Sequence, residues 1–167
     1  MKKITYFLVA FTVLFMACEG PQGPPGFDGF DGQDGGILVS NAFEIELDFT
    51  ANNNYQFTEP FGFEVFPTDV ALVYILDGNI NGQDAWKPLP QTFVLNDGNL
   101  VYNYAFSQTN VQFFLDGTTN FATLEPRFTD AQIFRVVVVP ADNVGRLDTT
   151  NLNAVMEAYN ITEFPKR

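Results

Sequence analysis

The clearest hydrophobic pattern lies at positions 43–49, where apolar side chains alternate perfectly with acids. Side chains along a β-strand point alternately to its two faces, so this alternation predicts a strand with one buried and one solvated face. The solvated face would carry Glu44, Glu46 and Asp48. We expect these three acids to provide solubility and to protect a sheet edge.

Further strands are predicted by short apolar runs that are separated by turn signals. Val70–Leu76 is apolar on both faces, which favours a central position in a sheet. Residues 133–139 form the richest β-branched run, and Pro140 stops it. Asn96–Asn99 contains Asp-Gly, a hairpin signal. The remaining apolar runs are 61–66, 91–95, 100–106 and 111–115. About seven short strands predict a mainly β fold, with a head that is an antiparallel β-sandwich or barrel-like.

One segment near the C-terminus has helical periodicity instead. Leu152, Val155, Met156 and Tyr159 recur at the spacing of a single helical face. An oxygen-bearing side chain within 148–150 can cap the first turn. We therefore expect one amphipathic helix that packs on the sandwich or covers an open edge.

The N-terminus has the pattern of an exported chain. Lys2 and Lys3 precede an apolar run over 4–17, which as a helix covers only about 21 Å and is short for a bilayer core of about 30 Å. A basic start and a run of this length are typical of a signal peptide, here residues 1–17. Cys18 follows Ala17 in a segment that resembles a bacterial lipobox. This resemblance implies that Cys18 is acylated and becomes the new N-terminus.

A glycine-rich neck follows at residues 18–36, before a head domain at 37–167. Glycine occupies every third position through residues 20–34, the period that collagen needs because only glycine fits at the axis of three chains. The neck is either a trimerising stalk or a monomeric spacer of about 45 Å. The triplets are few, and Asp28, Asp31 and Asp34 would bring acids of neighbouring chains together. A spacer that forms at most a weak homotrimer is therefore favoured.

Charge narrows the classes of partner. The chain has 20 acidic and 8 basic residues, a formal net charge of −12, and loss of residues 1–17 removes two lysines and no acid, which gives −14. Nucleic acid and anionic membrane surfaces need clustered Lys and Arg, so neither is an expected partner. The chain has no histidine and a single cysteine. Histidine general bases, Cys–His nucleophiles and the usual His/Cys zinc sites are therefore excluded.

The lipobox-like segment, the Gly-X-Y run and the β-rich head together resemble the small collagen-like lipoproteins of Bacteroidota. The head segments that carry this resemblance are 86–92, 114–117 and 134–142. The resemblance implies a lipid anchor in the outer membrane and display at the cell surface. It brings no assigned activity and therefore no catalytic residue.

One loop begins like a calcium-binding loop. Asp77, Asn79, Asn81 and Asp84 offer side-chain oxygens around a central glycine. Pro88 stands at the twelfth position, where a bidentate Glu is expected, so any calcium site would be weak. The competing interpretation is a polar hairpin loop.

The single tryptophan, Trp86, has two interpretations. An exposed Trp86 could contact a protein partner or a glycan, whereas a buried one would fill the core of the sandwich.

We expect a membrane-anchored lipoprotein that presents a binding or structural module, without catalytic residues and without a cofactor other than weakly bound calcium. The alternative is a carboxylate-dependent glycan-processing enzyme at the cell surface, with two acids in a concave pocket.

Overall fold

The structure is a computed structural model and describes residues 41–145 and 147–167, with the backbone alone at positions 142 and 143. The chain divides into two units between Asp34 and Gly35, and every described residue belongs to the second. The predicted signal peptide, Cys18 and the Gly-X-Y neck lie outside the described residues.

The described part of the chain is mainly β. Its strands form two antiparallel four-stranded sheets, sheet A with the order β1-β8-β3-β4 and sheet B with the order β2-β7-β6-β5. The strands in chain order are β1 Asn41–Leu47, β2 Gln56–Pro60, β3 Asp69–Ile80, β4 Gln83–Pro88, β5 Gln91–Leu95, β6 Gly98–Phe106, β7 Asn110–Gly117 and β8 Gln132–Pro140. Two short helices follow, α1 Ala141–Val144 and α2 Leu152–Ala158.

The two sheets share one apolar core. Phe43 and Ile45 of β1 pack in the same cluster as Phe113 of β7, and each is almost completely buried. Aromatic rings join the sheets at the centre, since the ring of Phe134 in β8 lies 4.9 Å from that of Phe113 and 6.1 Å from that of Phe49 between centroids. This sandwich-like arrangement of two separate sheets confirms the predicted antiparallel β fold and corrects the barrel-like alternative.

Sheet A has a second apolar cluster on its outer face. Tyr74 of β3 and Val137 of β8 point away from the main core and pack with Leu152 and Val155 of α2. This explains why both strands are apolar at successive positions, because each face of sheet A is covered. Since β3 lies between β8 and β4, the predicted central position of Val70–Leu76 is confirmed.

Helix α2 confirms the predicted amphipathic stripe. Leu152, Val155 and Tyr159 are buried, and Met156 is half-buried. The capping residue was predicted wrongly, because the side chain of Asn151 accepts hydrogen bonds from the first-turn N–H groups of Asn153 and Ala154. Residues 148–150 form the turn that leads into the cap.

Two features of the sheets differ from the prediction. Residues 61–66, predicted as a strand, form a loop in which Phe61 and Val65 are buried and Gly62 has φ +70°. The apolar pattern there arises because single side chains are buried in the core, although the backbone does not pair with a neighbouring strand. Strands β2 and β4 were not predicted, because each lies at the edge of a sheet and its polar composition is that of an exposed loop.

The C-terminal segment covers the free edge of β1. The N–H of Glu44 donates to the carbonyl of Pro165, and the N–H of Arg167 donates to the carbonyl of Glu44. Glu44 was predicted to face water, and this was wrong. Its side chain is 14% exposed and forms ion pairs with Arg135 at 3.0 Å and with Lys166 at 3.5 Å.

Arg167 ties the two sheets together at this edge. Its guanidinium donates hydrogen bonds to the carbonyls of Pro60 and Phe61 at the end of β2, at 2.6 and 2.5 Å. It also pairs with Glu59 at 3.3 Å and lies 3.9 Å from the ring centroid of Phe43 in β1. One side chain thus contacts sheet A and sheet B.

Two buried tyrosines should make the fold sensitive to alkaline pH. The hydroxyls of Tyr74 and Tyr102 donate to the carbonyls of Thr149 and Phe128, both at 2.7 Å, and burial raises the pKa of each phenol well above its ordinary value. In the unfolded chain a phenol loses its proton near pH 10, whereas the folded chain keeps it. The unfolded state then binds fewer protons, so stability is complete below about pH 10 and falls as the pH rises further.

We expect the free energy of unfolding in urea to decrease between about pH 10 and 12, by up to about 1.4 kcal/mol per pH unit for each such tyrosine. Tyr102→Phe keeps the ring and removes one titrating hydroxyl. Its unfolding free energy should therefore change less steeply over this range than that of the unaltered chain. Equal slopes for the two proteins would contradict this assignment.

Candidate functional site

Trp86 lies on the outer face of sheet A and not between the sheets. It is half-buried at the margin of the second apolar cluster. The guanidinium of Arg135 lies 4.1 Å from the centroid of Trp86 and 4.5 Å from that of Phe164. Since one face of the indole is occupied by Arg135, the side chain acts in packing. Contact of Trp86 with a protein partner or a glycan stays a prediction.

The four residues of the calcium-like loop lie on the hairpin that joins β3 to β4. Asn81 and Gly82 form its two-residue turn with φ of +54° and +84°, and Asn79 pairs with Asp84 across the strands. Asp77 forms an ion pair with Lys87 of β4. Within residues 41–145 and 147–167, no three acidic, His or Cys side chains are grouped so as to hold a metal ion. The hairpin alternative is confirmed, and weak calcium binding stays a prediction.

A groove of about 340 Å³ lies beside the turn between β5 and β6. Asp97 accepts a hydrogen bond from the buried hydroxyl of Thr119 at 2.7 Å and another from the N–H of Asn120 at 3.3 Å. These bonds, chiefly that from Thr119, lower the pKa of the Asp97 carboxyl. Asp97 therefore stays ionised at neutral pH and fixes the loop that follows β7.

The same groove contains a second carboxylate, Glu125, which pairs with Arg127 at 3.2 Å. Asp97 and Glu125 are both exposed. A carboxylic acid that protonates a leaving group is usually kept in apolar surroundings, which neither residue has. Both acids line the groove, and the enzyme alternative stays a prediction.

The outer face of sheet B differs from every other surface described above. The core-facing residues of its two middle strands alternate with outward-facing ones, and these form three rows across the sheet. No helix of the described residues packs on this face. Each row has three residues, and the rows are Gln56-Phe114-Asn103, Thr58-Gln112-Ala105 and Asp116-Val101-Thr92. Of these nine side chains, that of Asp116 alone carries a charge. We call these nine residues the neutral face.

An open depression of about 360 Å³ lies at one end of the neutral face. Thr58, Ala105 and Gln112 of the face line it together with Phe106, which is 43% exposed. The ring of Phe106 is stacked on that of Tyr104, with centroids 6.4 Å apart. Tyr104 packs against the main core, so the ring of Phe106 lies on the core-facing side of β6. The outward-facing groups of the depression are the hydroxyl of Thr58, the amide of Gln112 and the methyl group of Ala105.

The neutral face was not predicted from the sequence, although part of its signal was present. Outward positions 101, 103 and 105 of β6 and 112 and 114 of β7 are uncharged in a chain that has 20 acidic residues. The pairing of these strands with β2 could not be inferred, because β2 itself was not recognised. Because the pairing register of β2, β6 and β7 was not known from the sequence, the uncharged positions could not be assigned to rows across the sheet.

Comparison of the chain with protein-family models, with curated proteins and with solved structures gives no match in any of the three. Among the helices described above, none is long and apolar enough to cross a membrane.

Proposed function

We propose that this protein is a lipid-anchored lipoprotein of the cell envelope. Its β-sandwich head serves as a binding or structural module on a collagen-like spacer, and it is not an enzyme. The observation that carries the proposal is the position of Cys18, at the end of a basic and apolar signal-peptide pattern and directly before the Gly-X-Y triplets. Cys18 is the single cysteine of the sequence, and acylation of this residue would anchor the exported chain.

The head supports a binding role through its unequal faces. The outer face of sheet A is covered by α2 and the residues that follow it. The outer face of sheet B carries no such layer among the described residues and is almost free of charge. A module that presents one open sheet face is suited to contact with a partner, whereas the exposed carboxylates Asp97 and Glu125 do not favour hydrolysis.

The anchor is tested by substitution of the cysteine. In Cys18→Ser no thiol remains for acylation, so the full-length protein should move from the detergent phase to the aqueous phase in Triton X-114 partitioning. One acyl chain gives only marginal membrane binding, whereas several act together, so loss of all of them should be evident. Thr12→Ser, within the apolar run, is the matched control and should stay in the detergent phase. Equal partitioning of Cys18→Ser and the control would refute the proposed anchor.

A further inference from the structure

We propose that the neutral face of sheet B binds a neutral glycan chain, an inference that rests on the proposed function and gives its binding module a ligand class. The site consists of the three rows defined above and the depression at the row of Thr58, Gln112 and Ala105. It differs from the contact suggested for Trp86, which lies on the opposite sheet.

Charge provides the first argument for this ligand. The chain without residues 1–17 carries a formal charge of −14, so an acidic polymer would be repelled by the molecule as a whole. Basic residues that could offset this repulsion are absent from the nine positions of the neutral face. An uncharged chain meets no such repulsion and leaves no buried charge without a partner.

Hydrogen-bonding capacity provides the second argument. Sugar hydroxyls both donate and accept, and carboxamides do the same from one side chain. Gln112 donates to Gln56 at 3.2 Å, which orients both amides and leaves the N–H groups of Gln56 without a protein acceptor among the described residues. The Oδ1 of Asn103 accepts a hydrogen bond from the backbone N–H of Tyr104 at 2.9 Å. The side-chain N–H groups of Asn103 likewise have no acceptor among the residues that the structure describes. These donors are held in place before any ligand arrives.

The apolar groups of the site provide the third argument. The outward-facing Phe114 lies in one row with the amides of Gln56 and Asn103, and a sugar ring presents C–H groups that pack on such a surface. Of the residue types that are enriched at the centres of protein–protein interfaces, Tyr, Trp, Met and Arg do not occur among the nine residues, and Phe occurs once, as Phe114. The composition therefore favours a glycan over a protein partner or a second copy of the chain.

The test is affinity gel electrophoresis of the detergent-solubilised full-length protein. The gels contain a β-glucan, an α-mannan, a xylan or a galactan, with alginate as the acidic control. We expect at least one neutral polysaccharide to retard the protein and alginate to leave its mobility unchanged. The double variant Asn103→Ala/Gln112→Ala should bind about 10-fold more weakly, since it loses two sets of neutral hydrogen bonds.

The matched control is Gln83→Ala/Asn153→Ala, which removes two exposed amides on β4 and α2, and it should bind like the unaltered chain. Phe114→Ala tests the apolar contact separately and should also weaken binding. No retardation by any of the four neutral polysaccharides would overturn the proposal, as would equal effects of the two double variants. A dimer in light scattering that Thr92→Lys dissociates would also overturn it, because the face would then bind a second copy.

Binding is measured in detergent and does not depend on Cys18, so failure of the anchor and failure of this site are distinguishable.

Discussion

Phe134→Ala should destabilise the head by about 3–5 kcal/mol. Phe134 is completely buried in β8, and its ring contacts those of Phe113 in β7, Tyr102 in β6 and Phe49 after β1. Truncation removes the aromatic centre that both sheets share and leaves a cavity that rigid strands cannot close. A domain of this size is stable by about 5–15 kcal/mol, so the loss is a large fraction of the total.

The measurement is urea unfolding followed by circular dichroism. Phe66→Ala is the matched control, since the side chain of Phe66 is 56% exposed, and its loss should change stability by less than about 0.5 kcal/mol. If Phe134→Ala does not fold, Phe134→Leu keeps most of the apolar volume and should give a smaller loss in the same direction. Similar losses for Phe134→Ala and Phe66→Ala would show that the aromatic group does not hold the sheets together.

Arg135→Met should cost about 2–4 kcal/mol, because it removes the counter-charge of an acid that is shielded from water. The Arg135 guanidinium lies between the rings of Trp86 and Phe164, and its Nε donates to Glu44 at 3.0 Å. Without it, the remaining ion-pair partner of Glu44 in the described part of the chain is Lys166, whose side chain is 85% exposed. The loss combines an uncompensated carboxylate with two cation–π contacts.

Arg127→Met is the control for this prediction. Arg127 also pairs with a glutamate and lies over an aromatic ring, but the side chains of Arg127 and Glu125 are 68% and 69% exposed. An exposed pair of this kind contributes less than about 1 kcal/mol. Adding Glu44→Met to Arg135→Met should recover part of the lost stability, since the unpaired charge is removed. Equal losses for the two arginine variants, or no recovery in the double variant, would contradict this account of sheet A.

The parts of the fold that the sequence predicted are those where local pattern and burial agree. The run at 133–139 lies in β8, the turn signal at Asn96–Asn99 lies where β5 turns into β6, and the apolar stripe that begins at Leu152 lies on α2. Each signal is local, because periodicity or turn chemistry is contained within a few successive residues. The edge strands β2 and β4 lack such a signal because their sequences are mostly polar, whereas the edge strands β1 and β5 carry it.

The features that were missed depend on contacts between residues far apart in the chain. Glu44 follows the alternation of a solvated strand, yet Arg135 and the C-terminal Lys166 enclose it. The neutral face likewise depends on register among strands that are distant in the chain, such as those of Gln56 and Gln112, which are 56 residues apart. Pairing of this kind is set by packing of the whole domain and is not encoded in any one segment.

The most direct test of the proposed function is the intact mass of the full-length protein, extracted with detergent from the membranes of cells that produce it. The account predicts a chain that begins at Cys18, lacks residues 1–17 and carries the additional mass of several acyl chains on that residue. A chain that retains residues 1–17, or that begins elsewhere without added lipid, would contradict it.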